Sequence, residues 1–203
     1  MINVQGLTFS RGERTILNNF SMTLAQGELV LLSGENGSGK TTLLQLIGGV
    51  LTPNAGAITF NDKKLSELSV TEQAKIRSIA PARRQFTLAY TVQEVLDFVP
   101  KSDRVSNPAQ IIESLGLRDL LERKVTELST GQQERVGVGL ALMQEADFYL
   151  LDEPFSAQDQ GNTQNILQLL TALKKTKGVL VVSHNQDALR SYFDREIILV
   201  EPY

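Results

Sequence analysis

The sequence predicts an α/β fold built around a parallel β-sheet, and three observations carry that prediction. Three short apolar runs have the length of strands and no alternating polar side chains: residues 29–33, 148–151 and 179–183. Such runs are typical of strands that are buried on both faces of a parallel sheet. Segments with helical periodicity alternate with these runs, at residues 41–50, 131–144 and 163–175, which indicates βαβ connections. A glycine-rich loop joins the first run to the first helix, as in many phosphate-binding proteins.

The remaining segments predict smaller elements around this core. The predicted outer strands cover residues 4–9, 16–24, 57–60 and 196–200, with turns at 10–13 and 53–56 and a helix at 187–192. Short helical patterns, broken at Pro100 and Gly116, occupy residues 92–99, 108–115 and 117–121. They predict a small helical lobe at roughly 83–145, inserted into the core. A chain of 203 residues has the size of one domain, so we expect a single domain over residues 1–203.

The composition excludes several classes of protein. Twenty basic and 23 acidic residues give a net charge of -3. The chain therefore lacks the excess of basic residues that is typical of proteins that bind nucleic acid or a membrane surface directly. Cysteine is absent, which excludes a disulfide framework and a thiolate metal site. No run approaches the roughly 18 apolar residues of a spanning helix, and the first residues lack a signal-peptide pattern. We therefore expect a cytosolic protein that reaches a membrane only through a partner.

Residues 34–41 match the phosphate-loop pattern G-x-x-x-x-G-K-[ST] at every fixed position. Glycines let consecutive backbone N–H groups turn towards phosphate oxygens, and the following helix N-terminus adds a partial positive charge. A chance glycine-rich turn is the alternative, but it would not require a strand before the loop and a helix after it. We expect Lys40 to bridge the β- and γ-phosphates and the Thr41 hydroxyl to bind Mg²⁺. The nucleotide-binding residues predicted in this segment are Asn36, Gly37, Ser38, Gly39, Lys40, Thr41 and Thr42.

Two acids and the only histidine follow predicted buried strands. Asp152 and Glu153 come after the run at 148–151, and ligands bind at the carboxyl ends of parallel strands. We expect Asp152 to hold Mg²⁺, directly or through water, and Glu153 to act as the general base on the attacking water. His184 follows the run at 179–183 and is predicted to hydrogen-bond near the γ-phosphate. Two solvated acids and a structural histidine are the alternative.

Residues 128–132, Leu-Ser-Thr-Gly-Gln, lie between the phosphate loop and the acids, and in this order the chain resembles the ATP-binding cassette (ABC) ATPase family. The resemblance covers essentially the whole length and also rests on residues 150–154, 156–159 and His184. It implies a P-loop NTPase fold with a RecA-like core, a helical lobe and an antiparallel β region. It also implies that two such domains pair head to tail around two ATP molecules. We call residues 128–132 the signature segment and residues 156–159 the D-loop.

The resemblance assigns further site residues by position. Ser129 and Gly131 are implied to contact the γ-phosphate bound to the partner, and Gln132 belongs to the same nucleotide-binding segment. A location before a predicted helix suits this role, because helix N-termini attract phosphate. Asp159 matches the family's D-loop aspartate, which helps communication across the dimer interface. Arg11 falls where the family has an aromatic residue against adenine, and its planar guanidinium can stack on that ring.

Three further positions depart from the family pattern. Thr130 stands where the second signature glycine is usual, and Gln158 stands where leucine is common in the D-loop; we expect little consequence from either. Ala82 stands where the family has the glutamine of the Q-loop. Gln85, three residues on, is either its substitute or a plain exposed loop residue, which leaves open the usual link between magnesium and the transmembrane partner.

The resemblance implies an ATP-hydrolysing subunit that powers transport through a separate transmembrane permease. The subunit would work as a homodimer or with a paired ABC domain, in the cytoplasm at the inner face of the cell membrane. Its short length and motifs are similar to those of the haem-exporter ATPases of cytochrome c maturation, with metal-chelate importers as the main competing subfamily.

Three further classes of protein share parts of this pattern: a non-transport ABC ATPase acting on a macromolecule, a small-molecule kinase, and a cassette that binds ATP without hydrolysis. A non-transport ATPase usually carries a long coiled-coil insertion or two tandem cassettes, and neither is visible in the sequence. The signature segment argues against the kinase, and Glu153 and His184 argue against the inactive cassette.

Overall fold

The computed structural model describes residues 1–82, 86–184 and 189–200, which form two β-sheets flanked by helices. The strands in these ranges are β1 Ile2–Arg11, β2 Arg14–Leu24, β3 Leu29–Ser33, β4 Ala55–Phe60, β5 Lys63–Lys64, β6 Arg77–Ala80, β7 Phe148–Asp152, β8 Gly178–Val182 and β9 Arg195–Ile198. The α-helices are α1 Lys40–Ile47, α2 Val70–Ile76, α3 Val92–Leu96, α4 Pro108–Ser114, α5 Thr130–Met143 and α6 Gln160–Leu173. Short 3₁₀ turns span Leu65–Glu67, Lys101–Asp103, Arg118–Leu120, Val125–Glu127 and Arg190–Tyr192.

The larger sheet is parallel throughout, in the order β6-β7-β8-β3-β9, so the predicted α/β fold is confirmed. Every residue of β3, β7 and β8 is buried, as their continuous apolar runs predict. Because these neighbouring strands are parallel and in register, their carboxyl ends meet at one edge of the sheet. The loops that follow them therefore lie side by side.

The parallel sheet separates two apolar cores. Successive side chains of a strand point to opposite faces, so β7 contributes to both cores. Phe148 and Leu150 pack with α1 and with the antiparallel sheet, whose order is β2-β1-β4-β5. Tyr149 and Leu151 pack with α5, α6 and the short helices between residues 92 and 120. Both faces of the strand that carries the acids are thus fixed by packing.

Several boundaries differ from the sequence prediction. The helix predicted at 41–50 is α1, and it ends at Ile47 because two glycines follow, with Gly49 at a φ of +68°. The helix predicted at 117–121 is only a 3₁₀ turn. Of the helix predicted at 187–192, a 3₁₀ turn covers Arg190–Tyr192, and residues 187–188 lie outside the described residues.

The sequence patterns do not predict α2 and β6, which lie in the chain between the antiparallel sheet and the helices beyond residue 90. The helices α3, α4 and α5 fall within the predicted lobe; the limits of that lobe, 83–145, and the single domain over 1–203 stay predictions. Of the helices in the described ranges, none is both long enough and apolar enough to cross a bilayer.

Candidate nucleotide-binding and catalytic site

The phosphate loop connects β3 to α1 and depends on its glycines. Gly34, Gly37 and Gly39 have φ values of +144°, +88° and +98°, a region that favours glycine. Space is also restricted, because a Cβ on Gly39 would lie 2.8 Å from Cγ2 of Ile16, and a Cβ on Gly34 would overlap the Leu199 carbonyl. The loop therefore keeps a backbone curve that other residues would disrupt.

Lys40, the first residue of α1, is only 7% exposed. Its Nζ donates to the carbonyl oxygens of Gly34 at 2.9 Å and of Glu35 at 2.8 Å, so the loop wraps around the ammonium group. These carbonyl groups are neutral acceptors, and the positive charge remains available to an anion. Nearby, the buried hydroxyl of Ser38 has no hydrogen-bond partner in the described part of the chain. A buried cation and an unsatisfied hydroxyl in one loop suit phosphate oxygens.

Asp152 ends β7 and is 3% exposed. Burial raises the pKa of its carboxyl, and the negative charge of Glu153 acts in the same direction. Hydrogen bonding to the Thr41 hydroxyl and to the Ala82 backbone opposes this rise, as does the positive charge of Lys40. Its Oδ1 has no hydrogen-bond partner among the described residues. A carboxylate with an unsatisfied buried oxygen beside a hydroxyl fits Mg²⁺, which prefers oxygen ligands.

Glu153 and His184 lie together at the ends of β7 and β8. The Glu153 amide donates to the Val182 carbonyl at 2.9 Å, and its backbone has a φ of +52°. Its Oε2 lies 2.8 Å from Nδ1 of His184, with side-chain exposures of 17% for the acid and 57% for the histidine. Both side chains border a cavity of about 430 Å³ whose other walls include the D-loop and α6. A carboxylate held by a histidine at a water-accessible cavity can accept a proton from water.

The signature segment begins α5. Ser129 caps the helix: its hydroxyl accepts from the Gln132 amide at 3.3 Å, and the Gln132 side chain accepts from the Ser129 amide at 3.0 Å. Ser129 and Thr130 are exposed, so this helix start is open to a second molecule. Gly131 packs on the D-loop, because a Cβ at this position would overlap the Ala157 carbonyl oxygen.

The D-loop is held by its own side chains. Asp159 caps α6 and accepts from the backbone and side-chain nitrogens of Asn162, both at 2.8 Å. Gln158 donates from Nε2 to the carbonyl oxygens of Gly131 at 3.0 Å and of Ser156 at 3.1 Å. Little consequence is expected from Gln158 on sequence grounds, yet its side chain joins the D-loop to the signature segment. Its departure from the family's leucine was the available signal.

The remaining predicted residues flank the phosphate loop. Arg11 is exposed at the end of β1, opposite Arg14 in the hairpin that leads to Ile16. Asn36 is exposed on the loop, and Thr42 is half-buried in the first turn of α1. At the Q-loop, the Ala82 amide contacts Asp152, whereas Gln85 lies outside the described residues.

A phosphate loop and a strand-end acid pair on a parallel sheet define the class of P-loop nucleotide hydrolases. A family model described as ABC transporter matches residues 17–156. The hemin import ATP-binding protein HmuV of Escherichia coli O157:H7 is 32% identical over 211 residues, which cover 98% of this chain and 82% of that protein. The methionine import ATP-binding protein MetN 2 of Rhodococcus jostii (strain RHA1) is 32% identical over 96% of this chain and 61% of its own length.

Solved structures agree with these relatives. A dimeric bacterial ABC transporter cassette is 30% identical, with a TM-score of 0.81, and the match covers 98% of this chain and 94% of that one. The chain therefore belongs to the ABC transporter family. It is an ATP-binding and ATP-hydrolysing subunit that powers transport.

Proposed function

We propose that two copies of this chain pair head to tail, close on two ATP molecules, and transmit that closure to a transmembrane permease. The observation that carries the proposal is the position of the signature segment. Ser129 and Thr130 are exposed, and Gly131 contacts the D-loop of its own chain. In the proposed dimer, the exposed signature segment of one copy faces the phosphate loop and Lys40 of the other copy.

In this proposal the phosphate loop binds the triphosphate of ATP. The Lys40 ammonium exchanges its two carbonyl contacts for β- and γ-phosphate oxygens, and the Ser38 hydroxyl and the loop amides complete the cradle. The Arg11 guanidinium stacks on adenine from the hairpin beside the loop. Asn36, Gly37, Gly39 and Thr42 complete the proposed contacts of this loop.

Thr41 and Asp152 are the proposed ligands of Mg²⁺, and the unsatisfied Oδ1 of Asp152 supports this assignment. When bound, the ion neutralises charge that develops on the phosphate oxygens. The raised pKa of Asp152 agrees with a carboxyl group that is buried without a full complement of partners.

Glu153 is the proposed general base, and His184 is proposed to hold its carboxylate through the 2.8 Å contact from Nδ1. Because Nδ1 of His184 contacts Glu153, Nε2 of the same ring remains for a contact with a phosphate oxygen. The exposed position of His184 lets the ring reach a phosphate that enters the site.

The permease is proposed to dock on the aromatic pair Tyr90 and Phe98, which follows the Q-loop in the sequence. Their rings meet edge to face with centroids 5.3 Å apart, and Phe98 is 58% exposed. Leu88 is also exposed nearby in the chain, so three large apolar side chains face outward in a short stretch. Such patches mark protein contacts. The proposed location follows: cytoplasmic, at the inner face of the cell membrane, through this partner.

The relatives HmuV and MetN 2 are named for hemin and methionine import, yet both are 32% identical to this chain. Equal similarity to subunits of transporters for two different substrates supports a role in which this chain drives transport by ATP hydrolysis and does not contact the transported substrate. We infer that the permease selects the transported substrate. Both relatives are named as import proteins, which favours the metal-chelate importers over the haem exporters as the nearer subfamily.

A mixing experiment tests the shared site. Lys40→Ala removes the phosphate-loop cation, and Ser129→Arg blocks the signature segment, so each variant alone should lose ATPase activity. Mixed dimers contain one site in which both parts are intact. Half of randomly mixed dimers are of this kind, so about a quarter of all sites should be complete and ATPase activity should return in part. If mixing restores no activity, the two parts do not meet across a dimer.

A second experiment tests the general base. Glu153→Gln should retain ATP binding, lose turnover and accumulate as an ATP-bound dimer in size-exclusion chromatography. The control Glu122→Gln removes an exposed acid from the stretch between α4 and α5 and should behave as the parent. Hydrolysis by Glu153→Gln at the parental rate would contradict the assignment.

A further inference from the structure

Gln158 is the central residue of a contact between the D-loop and the signature segment of one chain. Its Nε2 uses its two protons on two backbone carbonyls, at Gly131 and Ser156, at 3.0 and 3.1 Å. The side chain is half-buried, so water competes only in part for these bonds. A leucine in this position could fill similar space but could donate to neither carbonyl.

The backbone at this contact is closely packed. Gly131 has no room for a Cβ, because the Ala157 carbonyl oxygen occupies that space. Ala157 itself has a φ of +52°, which costs a non-glycine residue about 1–2 kcal/mol and persists only where its surroundings hold it. The hydrogen bonds from Gln158 to the Ser156 and Gly131 carbonyls supply that restraint on Ala157.

A second connection joins the same two elements one helical turn further along. Arg135, four residues after Gly131 on α5, donates from Nη1 to the Asn162 side chain at 2.8 Å. Asn162 in turn donates to Asp159. Residues four apart lie on one face of a helix, so α5 meets the D-loop and the start of α6 at two points on that face. Two connections restrict rotation as well as separation.

The D-loop begins at Ser156, three residues after Glu153. The Ser156 amide donates to the Glu153 carbonyl at 3.1 Å. A continuous run of contacts thus leads from Glu153 through Ser156 and Gln158 to Gly131. In the proposed dimer, Glu153 serves the nucleotide on its own phosphate loop, whereas Gly131 serves the nucleotide of the partner.

We propose that Gln158 is a positioning residue that couples the two nucleotide sites. When the signature segment closes on the partner's γ-phosphate, the Gln158 bonds transmit that movement to the D-loop and to Glu153 of its own chain. The inference rests on the proposed shared site. It assigns to this glutamine the link within one chain, between its own signature segment and its own D-loop.

Two variants and one control test the inference. Gln158→Leu removes both donors, and Gln158→Glu keeps the shape but places carboxylate oxygens against the two carbonyls. The control Gln168→Leu makes the same chemical change on the exposed face of α6, away from the cavity beside Glu153. ATPase rates are measured against ATP concentration, and ATP dissociation constants are measured by calorimetry under conditions where the chain is monomeric.

We expect both Gln158 variants to bind ATP with the parental dissociation constant and KM. Their kcat should fall about fivefold, the effect of losing the one hydrogen bond that joins the D-loop to Gly131, and their Hill coefficient should fall from the parental value towards one. Gln168→Leu should retain all three parameters. If Gln158→Leu proves too unstable to assay, Gln158→Glu, which keeps the size of the side chain, carries the comparison.

Three outcomes would overturn the inference: a parental protein with a Hill coefficient of one, Gln158 variants with parental kcat and cooperativity, or a loss that appears as weaker ATP binding by the monomer. A failure of the shared site is separate from these outcomes, because it appears in the mixing experiment with Lys40→Ala and Ser129→Arg. Restored activity in mixed dimers together with unchanged Gln158 variants would reject the coupling role alone.

Discussion

Gly131→Ala tests whether the signature segment and the D-loop form one rigid unit. A Cβ at this position would lie well inside 3.0 Å of the Ala157 carbonyl oxygen, whereas carbon–oxygen contacts settle at about 3.3 Å. The carbonyl would have to retreat by nearly an ångström while its residue holds a positive φ. Overpacking of this kind costs about 1–3 kcal/mol. Alanine also gains roughly 1 kcal/mol over glycine in a helix, which would hide part of the cost.

Gly161→Ala is the matched control, because Gly161 is the second residue of α6 just as Gly131 is the second residue of α5. Its Cβ would meet Asp159 Oδ1 at 3.4 Å, an ordinary contact. The helix-propensity gains cancel between the two variants. Urea unfolding of the nucleotide-free protein should therefore give a free energy of unfolding about 1–3 kcal/mol lower for Gly131→Ala than for Gly161→Ala. Equal values would refute the rigid contact.

Three further predictions concern the caps, the phosphate loop and the pH dependence of stability. Ser129→Ala and Ser69→Ala each remove a capping box and should each lower the free energy of unfolding by about 1 kcal/mol, but only Ser129→Ala should lower ATPase activity; equal activities would contradict its role. Lys40→Ala should weaken ATP binding at least about tenfold by calorimetry, and an unchanged dissociation constant would remove the phosphate-loop assignment. Hydrogen bonding to Lys174 holds the pKa of Asp194 below its ordinary value, so this stabilisation is present above the ordinary pKa and is lost as the pH falls through the lower folded-state pKa. Urea titrations should show Asp194→Asn to be less stable than the parent at neutral pH, by under about 1 kcal/mol because the side chain is 40% exposed, and equally stable below that folded-state pKa.

The central strands could be predicted because their surroundings require one type of side chain. β3, β7 and β8 are buried at every residue, and a strand covered on both faces has no place for polar alternation. The acids and the histidine could be placed at one edge for a related reason, since each lies at the end of, or just after, a strand of the same parallel sheet. The burial of the strands and their shared parallel direction were therefore enough to predict where these three side chains lie.

The missed strand, β6, lies at the edge of the sheet and does not have an apolar run. It begins with Arg77 and Ser78, and the buried Ser78 hydroxyl donates to the Ala141 carbonyl of α5 at 2.8 Å. A polar side chain satisfied by a distant helix cannot be recognised from local hydropathy. The preceding helix, α2, buries no residue, but its capping box at Ser69 and Glu72 is visible in the sequence and would have predicted it.

The contact of Gln158 could not be derived from the sequence, because it depends on how α5 meets a loop 27 residues away. Sequence similarity identifies the D-loop and the signature segment as separate motifs. Only their packing shows that a glutamine in one motif binds a backbone carbonyl of the other. The local sequence pattern therefore locates the two motifs, but only the tertiary structure shows the hydrogen bond that connects them.

Two strained backbone positions lie on the same connection. Among the described residues with positive φ that are not glycine, Glu153 and Ala157 both have values of +52° and both lie between β7 and α6. Each such residue costs about 1–2 kcal/mol, so hydrogen bonds must hold the segment in place. The Glu153 amide is bonded to Val182, and the Gln158 side chain spans the turn at Ala157. These two strained residues mark the points where this segment turns: Glu153 presents the proposed base to His184, and Ala157 packs against the signature segment.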